Sequence, residues 1–304
     1  MSRFPVLVIA SALMVMAGVG IGGGPEAAAA RRVRRPATTV RAVTARALQV
    51  DASQLGEVSG CAFSRRDPAL VWMHNDSGDR ARVIPVNVAT GAVGTSVERA
   101  GVEVVDAEDI AITTSGDVVL ADIGDNNSQR ADVALIRFAE PAQGAKSASA
   151  VVTRYTYPDG AHNAESIVVE PDDNAALIIT KVDTGRSQVF RADLSSTGSR
   201  VMTQVGAITI SNEGFFFPNL ITGANALGDG SGIVLRTYLY GYVLKRSVGG
   251  TFESALGAKL QRFDLPPMAQ AEAICSSPDG RQLVTASESR GQATFALAVL
   301  PAPK

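Results

Sequence analysis

The chain has 304 residues, 46% hydrophobic, 19% charged and only 5% aromatic, with 29 Gly, 14 Pro and 2 Cys. That excludes a disordered chain, a collagen and a disulfide-dense mini-domain; the length suits two ordinary domains or one large all-β domain. The formal net charge of −2 conceals an asymmetry: residues 1–46 carry seven Lys/Arg against the single acid Glu26, and the remainder, with 21 bases and 29 acids, is net −8. An acidic body argues against nucleic acid as the main partner, because phosphate binding needs a basic face.

Residues 1–30 have the layout of a secretory signal: Arg3, an apolar run from Val6 to Ile21, then Ala28, Ala29 and Ala30 as a small-residue cleavage site. The run is shorter than the roughly 20 residues that span a bilayer, so secretion is expected, without a membrane span after removal. Residues 31–44, opening on Arg31, Arg32, Arg34 and Arg35, are expected to form a basic flexible segment. A single domain is expected over 45–304.

From residue 45 onward, short apolar runs alternate with Gly, Asp and Asn turns, and no long 3.6-period helix is evident, which favours an all-β fold. A strand is predicted at 45–51. A unit then recurs five times: a first strand, a turn and a second strand. The first strands are predicted at 59–64, 108–113, 165–170, 222–227 and 272–277, starting 49, 57, 57 and 50 residues apart. The second strands are predicted at 70–73, 118–121, 176–180, 233–235 and 283–286, and third strands follow each. A period near 50 with about four strands is the signature of a β-propeller blade. Five blades are expected, with six as the alternative. The fifth unit runs out after three strands. Residues 45–51 resemble 258–264, before the fifth unit, so the N-terminal strand is expected to complete the last blade and close the ring, leaving no open edge. Trp72 is the only Trp and no Trp-Asp pair occurs, which disfavours WD40 repeats.

The two cysteines fall on first strands, Cys61 two residues after Ser59 and Cys275 three after Glu272. Successive strand side chains point to opposite sides, so opposite parity on neighbouring blades lets them face each other. A Cys61–Cys275 disulfide is predicted, in keeping with an oxidising compartment; two buried free thiols are the alternative.

Polar residues concentrate where first strands start and second strands end, which in a propeller is one face. The starts bring Asp106, Glu108, Asp109, His162, Asn163, Glu165 and Glu272; the ends bring His74, Asp76, Asp79, Asp122, Asp125, Asn126, Lys181, Arg236, Tyr238 and Glu288. Carboxylates crowded near an axis repel unless something offsets them. Ca²⁺ does so with 6–8 oxygen ligands, and Asp106, Glu108, Asp122, Asp125 and Asn126 are the candidate metal ligands. Glu108, Glu165, Glu272 and His74 are the candidate catalytic acids and bases. Asp76, Lys181, Arg236, His162 and Glu288 are candidate contacts for a ligand. Turn chemistry alone accounts equally well for Asp76 and Asp125. Tyr238 reads as a packing or rim residue, and 215–218 as a blade connector. No GxSxG, Walker A, HExxH, CxxC or EF-hand pattern is present.

Ser59-Gly60, the 72–78 segment, 106–110, 121–126, Thr180-Lys181, 235–238 and 271–274 resemble a set of secreted bacterial β-propeller proteins, and more loosely the phytase-like propellers of the "esterase-like activity of phytase" type. The resemblance covers most of 45–300. It implies Ca²⁺ and phosphoester chemistry. A Ca²⁺-phytase also holds its phosphates with several basic residues, whereas only Lys181 and Arg236 are placed at this mouth. The expectation is therefore a monomeric, secreted propeller. Its acidic, Ca²⁺-containing mouth would bind a small polar or anionic ligand or a cell-surface component. The alternatives are a metal-assisted phosphoester or glycoside hydrolase, and an interaction scaffold without a catalytic site.

Overall fold

In the computed structural model the described residues are 44–142, 144–145, 149–195, 198–211 and 219–303. The expected signal peptide, nearly all of the basic segment and the 215–218 connector lie outside them. Among the described residues, twenty-one strands form five sheets. Blade 1 holds β2 (Val58–Phe63), β3 (Leu70–Asn75), β4 (Arg82–Asn87) and β5 (Val97–Glu98). Blade 2 holds β6 (Ala107–Ile112), β7 (Asp117–Asp122), β8 (Val133–Ala139) and β9 (Val151–Thr156). Blade 3 holds β10 (Ala164–Val169), β11 (Ala175–Thr180), β12 (Arg186–Asp193) and β14 (Thr203–Thr209). The short β13 (Arg200–Val201) pairs parallel to β9 at the edge of blade 2. Blade 4 holds β15 (Ile221–Ala226), β16 (Gly232–Thr237), β17 (Tyr240–Lys245) and β18 (Gln261–Asp264). Blade 5 holds β19 (Ala271–Ser276), β20 (Gln282–Ser287), β21 (Thr294–Pro301) and, as its outer strand, β1 (Arg46–Asp51).

The innermost strands pack side by side in the order β2, β6, β10, β15, β19 and back to β2. The fold is therefore a closed five-bladed β-propeller, and the six-bladed alternative falls away. β1 lies antiparallel on β21 from Arg46 opposite Val299 to Asp51 opposite Thr294, as expected for the closing strand.

The apolar core is divided into five clusters, one at each interface between neighbouring blades. On β16, Ile233 and Leu235 pack toward blade 3 while Val234 packs toward blade 5. Each inner strand is thus buried on both faces. That is why the strands read in sequence as unbroken apolar runs rather than a strict alternation. At the seam between blades 1 and 5, Cys61 and Cys275 form the predicted disulfide, with Cα atoms 5.7 Å apart.

Candidate cation and ligand site

Each innermost strand carries a register shift at the same place. The ladder slips between Val58 and Gly60, Ala107 and Asp109, Ala164 and Ser166, Ile221 and Gly223, and Ala271 and Ala273. The extra residue in each case is Ser59, Glu108, Glu165, Thr222 or Glu272. A bulge re-aims the side chain it releases from the ladder, and five equivalent bulges on adjacent strands bring these residues to one end of the ring. All five are buried, with at most 3% of their surface exposed. Ser59 Oγ donates to the Glu108 carbonyl at 2.6 Å, which links the first two.

The ends of the second strands supply the rest. Asp76 follows β3, Lys181 follows β11, Tyr238 follows β16 and Glu288 follows β20; Asp106 directly precedes β6. Lys181 Nζ lies 2.6 Å from Glu165 Oε1. The Tyr238 hydroxyl donates to Glu272 Oε1 at 3.2 Å, and the Lys181 ammonium sits 5.6 Å from the Tyr238 ring centre. Gln270 Nε2 donates to Glu288 Oε1 at 2.6 Å.

The carboxylates fall into two groups that share one member. One oxygen each from Asp76, Asp106 and Glu108 lie within 4.8 Å of one another, and so do one oxygen each from Asp76, Glu272 and Glu288. Asp106 Oδ1 and Glu272 Oε2 are buried with no hydrogen-bond partner. Gly124, after β7, makes room for the first group: a Cβ there would overlap Glu108 Oε1 and the Asp106 carboxyl.

Burial dominates the electrostatics. It raises Asp106 to about 7, with help from Asp76 and Glu165, while Arg130 acts the other way. Burial and the Glu165, Asp76 and Asp106 carboxylates push Glu108 to about 11. Burial raises Glu165 to about 7 although Lys181 opposes it, and raises Glu272 to about 8 against the same lysine. Burial also works against the Lys181 charge, but Glu165, Tyr238 and Glu272 outweigh it and its pKa is raised. Without a bound cation this mouth holds protons at neutral pH.

Several residues expected here lie elsewhere. Asp122 accepts a bidentate pair from Arg130 at 2.9 and 3.0 Å and the backbone N–H groups of Val105 and Asp106. It fixes the backbone that presents Asp106, and Arg130 occupies both of its oxygens. Asp125 closes its own turn by accepting from the Gln129 and Arg130 N–H groups, and Asn126 is exposed and paired with Asn163. These three expected metal ligands therefore do not join the carboxylate groups. Arg236 is fully buried, with its guanidinium on the carbonyls of Thr237 and Ala273 and on Thr285 Oγ1; it stands behind Glu272, and burial lowers it to about 9. His74 is buried against Gly60 and Asp109 and donates from Nδ1 to the Asn75 carbonyl at 2.8 Å; burial lowers it to about 4. His162 pairs with Asp159 at 2.8 Å and packs on Tyr157 and Phe190, away from the groups. Asp109 ties blades together by accepting the N–H of Ile167 at 2.9 Å.

Tyr238, expected as a packing or rim residue, takes part in the site through Glu272. The available signal was its position, one residue past a second strand, equivalent to Lys181 and Glu288.

These features define the class: a closed five-bladed propeller whose acidic end draws side chains from every blade. No protein-family profile matches the chain, and no curated protein matches it in sequence. Similar solved structures include the PQQ-bound aldose sugar dehydrogenase of Streptomyces coelicolor (TM-score 0.47, 10% identity, covering 85% of this chain and 98% of that one). A gluconolactonase of Xanthomonas campestris is similar at TM-score 0.45 and 11% identity, with 84% and 90% covered. The WD40 domain of Neurospora crassa Pan2 is similar at TM-score 0.38 and 9% identity, with 83% and 65% covered.

Proposed function

We propose that this propeller binds a small polar or anionic ligand through a hard divalent cation, Ca²⁺ by preference, held by Asp76, Asp106 and Glu108. The observation that carries this reading is Asp106 Oδ1, buried and without a partner inside a group of three converging carboxylates. A buried acceptor left unpaired costs roughly 1–3 kcal/mol, and a cation removes that cost. The donor set favours Ca²⁺, which takes carboxylate oxygens in flexible geometry, whereas Mg²⁺ demands near-ideal octahedral geometry and keeps several waters.

Three carboxylates leave part of a 6–8-fold shell open for oxygens of a ligand. Lys181 and the Tyr238 hydroxyl stand on the neighbouring blades to orient it. The buried disulfide supports an oxidising, extracellular setting. Among the described residues no helix is long and apolar enough to cross a membrane.

Thermal melting after EDTA treatment tests the reading. Ca²⁺ should raise the melting temperature, by about 2.7 kcal/mol of stability at a hundredfold excess over Kd. Mg²⁺ should raise it less. An identical melt in Ca²⁺ and in EDTA would reject the cation site.

A further inference from the structure

We propose that the mouth holds two divalent cations, the second bound by Asp76, Glu272 and Glu288, with Asp76 bridging both. The inference rests on the reading above and extends it to the far side of the same mouth.

Three observations carry it. First, Asp76 is the only residue common to the two carboxylate groups found among the described residues, and each group fits within 4.8 Å. A carboxylate has two oxygens and commonly spans two cations about 3.5–4 Å apart in two-metal sites. Second, each group contains one buried oxygen with no partner: Asp106 Oδ1 in the first and Glu272 Oε2 in the second. Asp106 is 9% exposed and Glu272 3%. A cation at the first group satisfies Asp106 and leaves Glu272 Oε2 as it was. The other Glu272 oxygen already accepts from Tyr238, and Gln270 already holds one oxygen of Glu288. These hydrogen bonds hold one oxygen of each glutamate, and one oxygen each of Glu272, Glu288 and Asp76 still come together.

Third, once the mouth is ionised rather than protonated, two divalent ions balance its charge. Asp76, Asp106, Glu108, Glu165, Glu272 and Glu288 supply six negative charges when ionised. Lys181 is paired with Glu165, and Arg236 stands behind Glu272. Four negative charges remain; one divalent ion offsets half of them and two offset all. An uncompensated buried charge is expensive. A pair of ions also defines the ligand class as an oxyanion, whose oxygens can reach both metals at once.

The test is the number of Ca²⁺ ions bound per chain, read by isothermal titration calorimetry on the disulfide-intact protein after EDTA stripping at pH 8. The expected count is two for the parent and one for Glu288→Gln, with the remaining ion within threefold of its parent affinity. Glu288 is only partly buried, and removing its charge relieves repulsion, so the variant should melt cooperatively in EDTA at or above the parent temperature. Asp76→Asn should weaken every bound ion at least tenfold. A parent that binds one ion, or a Glu288→Gln variant that still binds two, overturns the second site and leaves the first standing. A parent that binds none overturns the cation reading itself. An Asp76→Asn variant that keeps one ion at parent affinity overturns the bridge. Protein loaded with mixed Tb³⁺ and Eu³⁺ should show energy transfer between neighbouring ions; two bound ions without transfer would also overturn the bridge.

Discussion

Glu165 Oε1 and Lys181 Nζ, 2.6 Å apart, form the one ion pair inside the acidic mouth among the described residues. Glu165 reaches the mouth because a bulge releases it from β10, and Lys181 because it follows the partner strand β11. Their side chains are 3% and 15% exposed. Lys181 is therefore the base that touches the cluster directly.

Removing it should expose what it offsets. Breaking a buried pair by deleting one partner typically costs about 3–5 kcal/mol. Lys181→Met should lose stability on that scale at pH 8 in EDTA, as measured by guanidinium unfolding. The loss should shrink at pH 5, where Glu165, whose pKa is about 7, is protonated and needs no partner. An equal loss at both pH values would show that Lys181 acts through packing of its stem alone.

The metal-free protein should become less stable as pH rises. Asp106 and Glu165 sit near 7, Glu272 near 8 and Glu108 near 11 in the folded chain, against about 4 when unfolded. Between those limits the folded state holds protons that the unfolded state has released, so the stability falls with rising pH. The contribution of these acids is intact at pH 4 and is lost progressively toward pH 8. His74 acts the other way, because its folded value of about 4 lies below 6.5. It favours the folded state increasingly as pH rises from 4 to 6.5, but it is one group against four. Melting in EDTA should therefore decline most steeply between about pH 5.5 and 7 and flatten toward pH 8, as Asp106 and Glu165 lose their protons in the folded chain too. Saturating Ca²⁺ should flatten that decline, since the cation takes the place of the protons. A melting temperature that rises through this range in EDTA would contradict the assignment.

Much of this was legible in the sequence. The repeat exposed the blades because every inner strand is buried on both faces and reads as an apolar run. The closing strand was visible as a likeness between 45–51 and 258–264, and the disulfide followed from side-chain parity on β2 and β19. Glu108, Glu165 and Glu272 stood out because the same bulge recurs at the same place in each repeat. The failures share one cause, which is that sequence position does not give side-chain direction. Asp122 and Asp125 sit at a strand end as a ligand would. Arg130, a few residues on, takes the Asp122 oxygens with its guanidinium and an Asp125 oxygen with its backbone N–H. Arg236 was placed at the mouth, yet its guanidinium is spent on carbonyl oxygens between blades 4 and 5.

Gly124 should be required for cation binding rather than for folding. A methyl group there overlaps Glu108 Oε1 and the Asp106 carboxyl, both of which can swing away, since they are side-chain ends. The Gly124 N–H bond to the Asp106 carbonyl, at 3.0 Å, survives the substitution. Gly124→Ala should therefore melt cooperatively in EDTA but bind Ca²⁺ at least tenfold more weakly. Gly257 has no atom within 4 Å of its would-be Cβ and makes the control: Gly257→Ala should leave both measurements unchanged. Parent-like Ca²⁺ affinity in Gly124→Ala would place the cation away from Asp106 and Glu108.

Two devices close the ring at the same seam, and they can be separated. β1 pairs with β21 over six residues, from Arg46 to Asp51, and the Cys61–Cys275 bond joins blades 1 and 5 across a sequence separation of 214 residues. On the chain-entropy account, a crosslink over so long a loop contributes about 5 kcal/mol, mainly by restricting the unfolded chain. For a domain of this size that corresponds to a fall of order 10 °C in melting temperature. The double variant Cys61→Ala/Cys275→Ala should show such a fall in calorimetry and still melt in one transition, because β1 and the apolar cluster between blades 1 and 5 keep the ring shut. Its Ca²⁺ count at 20 °C should equal that of the parent. A broad or two-step melt would instead show that the disulfide, rather than the N-terminal strand, is what holds blades 1 and 5 together.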